Sequence, residues 1–103
     1  MSLPLSIPKL AYIQAFSAVA KHGSITAAAR SDGRSLQTIS RHIAALEADM
    51  GVALFDRRSD GLALTKIGAN ILKQAEEVVI AAARFAHAAS DQNDAIAGMI
   101  RVT

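Results

Sequence analysis

Apolar residues recur along most of this chain at helical spacing, and one short stretch breaks the rhythm. Leu10, Ile13, Phe16 and Ala20 mark a first helix that stops at His22-Gly23, with Pro8 suited to a first turn because its missing N–H is not needed there. Ser24 or Thr26 can cap a short second helix through Ala27-Ala28-Ala29-Arg30, whose small side chains let a neighbouring helix approach closely. Ser31-Asp32-Gly33-Arg34 reads as a turn. In the stretch Ser35 to Leu46, Ile39, Ile43 and Leu46 fall on one side of a third helix. Gln37, Arg41 and Ala45 point away, and Thr38 and Ser40 lie on the flanks. Ser35 is the predicted N-cap, and the helix runs through Glu47-Ala48-Asp49-Met50 to Gly51.

The rhythm then changes. Val52 to Arg58 and Leu62 to Thr65 flank Ser59-Asp60-Gly61, a pattern that predicts two short strands around an Asp-Gly turn. Thr65 can cap a last helix over 66–90, in which Ile71, Ala75, Val78, Ala82, Phe85 and Ala89 alternate at spacings of four and three. That is a coiled-coil seam, widened by Leu72, Val79 and Ala86. At 1.5 Å per residue the helix is a rod of about 37 Å, longer than so small a domain can cover. Part of the stripe is expected to pack on the first helix, and the remainder on a second copy. Asp91-Gln92-Asn93-Asp94 reads as a polar break, and Met99 to Thr103 as the start of a strand.

A third helix with an apolar back and a hydrogen-bonding tip suits a reader of the DNA major groove. The competing reading of the stretch is an ordinary amphipathic helix with a solvated outer face. Its surroundings favour the first reading. A tight Gly-containing turn joins it to the second helix, as in a helix-turn-helix. Arg57 and Arg58 put positive charge on the hairpin, where a wing could meet the sugar-phosphate backbone or minor groove.

Charge distribution agrees. The net charge is only +2, yet residues 1–68 hold eight Lys/Arg against five Asp/Glu and residues 69–103 three against four. The basic half carries the candidate reading helix. The chain has 103 residues, enough for one domain with an extension, and is 51% hydrophobic with no cysteine. No disulfide framework or thiolate zinc site is possible, and a cytoplasmic protein is expected. The segment Val78 to Ala89 is interrupted by Arg84 and His87 and is too short to span a bilayer. His22, His42 and His87 lack metal-ligand spacing and there is no Gly-rich phosphate loop, so neither a metal nor an enzyme is expected. No cofactor is expected either. The alternative function is a helical protein–protein interaction module that dimerises without sequence-specific DNA binding.

With these residues in view, the chain resembles the N-terminal DNA-binding domain of LysR-type transcriptional regulators. The similarity covers about residues 10–90. It includes Phe16, Val19, Gly23-Ser24, Thr26, Ala28-Ala29, Ser35, Ser40-Arg41, Ile43, Leu46-Glu47, Gly51, Leu54-Phe55, Arg57, Leu64-Thr65 and Gly68. The resemblance implies a mainly α, winged helix-turn-helix (three helices plus a short β-hairpin wing) over 8–65, followed by a linker and dimerisation helix over 66–90. Residues 91–103 would be a hinge and the start of an effector-binding domain that takes a small molecule. Thr26 would lie near a phosphate, Ser35, Ser40 and Arg41 at or beside the groove, and Arg57 and Arg58 on the backbone or minor groove. Gln37 and Thr38 would complete the reading surface. The departures cluster at the turn: in an ungapped match Asp32 replaces the usual Leu, Arg34 an apolar residue, Leu36 the usual Gln, and Gln37 a frequent Pro. A charge at a buried Asp32 would be costly. A one-residue insertion would instead bring Gln37 onto the usual Gln, and both registers fit the sequence.

Overall fold

The computed structural model describes residues 7–58 and 61–101, with side chains described to residue 93. The elements run α1 (Leu10–His22), α2 (Ile25–Asp32), α3 (Leu36–Met50), β1 (Phe55–Arg58), β2 (Gly61–Leu64) and α4 (Lys66–Arg101). The two strands pair antiparallel with Phe55 opposite Leu64 and Arg57 opposite Leu62. The fold is thus a mainly α winged helix-turn-helix followed by a long helix.

Side-chain caps start three of the helices. The amide of Ala27 donates to Ser24 Oγ at 3.0 Å, that of Thr38 to Ser35 Oγ at 3.1 Å, and that of Gly68 to Thr65 Oγ1 at 3.0 Å. Each satisfies a backbone donor that the first helical turn leaves free. Between the two candidate caps of α2 the structure selects Ser24. Pro8 lies before α1 rather than in its first turn, because Lys9 is the N-cap. The turn is also tighter than expected: α2 includes Ser31 and Asp32, and the chain reverses on Gly33 at φ 67°. That left-handed conformation favours glycine.

The core lies where α1, α2 and α3 meet the root of the hairpin and the start of α4. Phe16, Val19, Ile39 and Leu54 are its largest fully buried side chains, each contributing about 1.5–3 kcal/mol relative to exposure. Phe16 meets Phe55 edge to face at a centroid distance of 5.5 Å. On α3 the buried face is Ile39, Ile43 and Leu46, as the periodicity predicts. On α1 it is Ala15, Phe16 and Val19, and Leu10 is 40% exposed. The shift arises because α1 packs against α2, α3 and α4 together. Its small residues therefore face neighbouring helices, while Leu10 sits at the open end.

The last helix differs most from expectation. It continues through 91–101 in place of a polar break and a strand. Residues 91–94 contain no proline or glycine, and a helix closes its own hydrogen bonds whereas a lone strand closes none. Residues 102 and 103, part of the expected strand, lie outside the described residues. The apolar stripe of α4 divides. Ala75 is 8% exposed within the domain's own core, and Ile71 and Leu72 pack against it. That leaves Ala75 no surface for a partner. Val78 is 42% and Phe85 77% exposed, Ala82 is half-buried and Ala89 exposed.

Candidate nucleic-acid interface

The first turns of α3 stand out from the domain, held from behind by the buried Ile39 and Ile43. Gln37 and Arg41 are exposed on the outward side, and Thr38 and Ser40 are half-buried at its edges. Ser35 is exposed but engaged: besides accepting from the Thr38 amide, its hydroxyl donates to Thr38 Oγ1 at 2.8 Å. These two hydroxyls therefore organise the tip more than they project from it. Neither α2 nor α3 has an acidic residue in its first turn. The positive ends of both helix dipoles are thus free of local neutralisation, which favours anions. Thr26 lies exposed in the first turn of α2.

The hairpin is tied to α3 by one carboxylate. Glu47 Oε2 accepts the amides of Leu54 at 2.7 Å and Phe55 at 3.2 Å, so the strand carrying Arg57 and Arg58 starts from a fixed point on α3. Both arginines are exposed. A pocket of about 80 Å³ between helix and wing is lined by Ser40, Glu47, Phe55 and Arg57, among others. Arg57 thereby joins one flank of α3. The returning strand is fixed at the same root by Thr65, whose hydroxyl donates to the Ala53 carbonyl at 2.7 Å and whose amide donates to that of Leu54 at 3.0 Å.

The opposite flank holds two residues that the sequence reading missed, Lys9 and Tyr12. A shallow groove is lined by Lys9, Tyr12, Arg41, His42 and two alanines. The Tyr12 and His42 rings are 5.2 Å apart, and the Lys9 ammonium lies 5.9 Å from the Tyr12 ring centre. Lys9 and Tyr12 sit at the start of α1, remote in sequence from α3, and only the packing of α1 across α3 brings them beside Arg41. Positive charge consequently borders α3 on both sides. The unusual turn is also resolved: Asp32 and Arg34 are exposed, so neither charge is buried. They line a groove of about 370 Å³ of mixed character with Gln14, Lys21, His42 and Val79, among others.

The candidate residues thus form two groups. Thr26, Ser35, Gln37, Thr38, Ser40, Arg41, Arg57 and Arg58 belong to the helix-turn-helix and its wing. Ile71, Ala75, Val78, Ala82, Phe85 and Ala89 follow α4 away from it. Among the described residues no cluster of three or more His, Cys, Asp or Glu could hold a metal, and no helix is long and apolar enough to cross a membrane.

A capped, outward-facing helix beside a basic hairpin defines a DNA-binding regulator of the winged helix-turn-helix class. Residues 10–69 match the sequence profile described as bacterial regulatory helix-turn-helix protein, lysR family. The chain belongs to that family. It is 41% identical over 93 residues to a probable hydrogen peroxide-inducible genes activator of Mycobacterium avium, a match that spans 89% of this chain and 30% of that relative. Among solved structures, the oxidised form of OxyR from Corynebacterium glutamicum superposes with a TM-score of 0.78 at 28% identity, covering 82% of this chain and 27% of that one. The CbnR_DBD–DNA complex gives a TM-score of 0.72 at 33% identity, covering 82% of this chain and 97% of that one.

Proposed function

We propose that this chain binds duplex DNA sequence-specifically as a homodimer and thereby regulates transcription in the cytoplasm. The observation that carries the reading is the placement of Gln37 and Arg41, both exposed on a helix whose opposite face is core. Arg41 and Gln37 contact base edges in the major groove, each good bidentate contact discriminating by about 1–3 kcal/mol. Thr26 and the edges of the tip, including Ser35, Thr38 and Ser40, approach the backbone and the groove rim. Arg57 and Arg58 supply salt-dependent affinity for phosphates, and Lys9, Tyr12 and His42 border the opposite strand.

Two copies pair through the open edge of α4, with Val78 and Phe85 as anchors flanked by Ala82 and Ala89, while Ile71 contributes at the margin. A two-fold dimer presents two copies of α3 to two half-sites. The chain spans 30% of the M. avium relative, and we place the response to a small-molecule effector in a C-terminal domain that follows α4. Selection of bound sequences from a random duplex pool tests the reading. A two-fold symmetric motif is expected, and a pool with no enriched sequence would overturn it.

A further inference from the structure

One side chain at the tip of α3 belongs to neither the core nor an ordinary polar surface. Leu36 opens the helix and is 46% exposed. It stands outside the buried cluster of Ile39, Ile43 and Leu46. Its near neighbours on the helix are Ser35, Gln37 and, one turn on, the buried Ile39 and the half-buried Ser40. Side chains on a helix tilt toward its N-terminus, so those of the first turn project past the helix end. Leu36 and Gln37 are therefore the foremost side chains of the tip. The hydroxyl of Ser35 is already engaged with Thr38 at 2.8 Å, which leaves the apolar Leu36 as a principal presented group.

The major groove offers few apolar partners. Adenine, guanine and cytosine show only hydrogen-bonding groups there, whereas thymine also carries a 5-methyl group. We infer that Leu36 is a specificity-determining residue that packs against the 5-methyl group of a thymine in each half-site. Gln37 and Arg41 take the hydrogen-bonding edges beside it. The inference rests on the duplex-binding reading above and assigns the chemistry of one base position within it. Leucine has no donor or acceptor, so this position is read by shape and burial alone.

The test uses the 103-residue chain and a duplex enriched from the random pool. Each thymine of the half-site is replaced in turn by deoxyuridine, which removes the methyl and keeps every hydrogen bond. At one thymine per half-site the parent should lose about four-fold in affinity, the worth of one buried methyl, and Leu36→Ala should lose much less on the same replacement. Leu36→Gln should shift the preferred base there toward adenine, whose N6 and N7 suit an amide. Leu36 is exposed, so both variants should keep the parent's circular dichroism. Parent affinity unchanged at every deoxyuridine, or Leu36→Ala equally sensitive to it, overturns this inference alone. A pool that yields no enriched sequence overturns the duplex-reading proposal, and this one with it.

Discussion

The carboxylate of Glu47 on α3 receives the backbone amide of Leu54 at 2.7 Å, so α3 and the root of the wing are joined by a charge-assisted hydrogen bond. The same oxygen also takes the Phe55 amide. Two amides at the strand entrance thereby find an acceptor that the short hairpin does not supply. Glu47→Ala should lower stability by about 1.5–3 kcal/mol, the range for hydrogen bonds to a charged group. Glu47→Gln, which keeps one acceptor oxygen, should lose less. Urea unfolding at fixed protein concentration measures both, and equal stability of Glu47→Ala and the parent would refute the role.

Gly68 packs where no side chain fits. A Cβ there would meet the Leu54 carbonyl oxygen within contact distance and lie 3.1 Å from Leu64 Cδ2. Alanine would ordinarily strengthen a helix. Here the obstruction is backbone at the hairpin root, which cannot swing aside as a side-chain tip could. Gly68→Ala should therefore destabilise by about 1–3 kcal/mol, as overpacking does, seen as a lower midpoint in the same unfolding experiment.

Arg41 and Arg58 are both exposed arginines, yet they should fail differently. Arg41→Ala should reduce discrimination between the selected site and random duplex by about 1–3 kcal/mol. Arg58→Ala should weaken both duplexes alike and flatten the dependence of affinity on salt. Binding isotherms at several salt concentrations separate the two outcomes. Protection of the selected site by Arg41→Ala equal to that by the parent would remove Arg41 from the reading surface.

Phe85, at 77% exposure, is the most exposed large apolar side chain of α4 among the described residues. Phe85→Asp should yield a monomer that keeps the helical content of the parent, since the side chain takes no part in the domain core. Ala75→Asp should instead unfold the domain, because Ala75 is part of that core. Analytical ultracentrifugation and circular dichroism distinguish these results. A Phe85→Asp chain that remained dimeric would move the interface elsewhere.

Much of this arrangement is legible in the residues because it is local. The spacing of Ile39, Ile43 and Leu46 and the Ser35 cap define α3 without reference to any other element, and the change of rhythm after Gly51 marks the two paired strands, the expected Ser59-Asp60 part of their turn lying outside the described residues. What escaped depends on contacts distant in sequence. Lys9 and Tyr12 join the face of α3 only through helix packing. The stripe on α4 is expected to be shared between the first helix and a second copy, but periodicity does not say which residues go to which: Ala75 meets the core and Phe85 does not. The polar run at 91–94 suggests an end to the helix, but without a proline or glycine it does not impose one. Asp32 and Arg34, alarming as buried charges, are harmless once the turn opens toward solvent.

The unbroken course of α4 from Lys66 to Arg101 imposes a rule of phase. Each inserted residue turns everything beyond it by about 100° and advances it by about 1.5 Å. A single extra alanine after Ala81 would swing Phe85 off its edge, whereas seven, two nearly complete turns, would restore its azimuth and merely lengthen the shaft. The angular setting of whatever follows α4, relative to the DNA-facing end, is thus written in residue count.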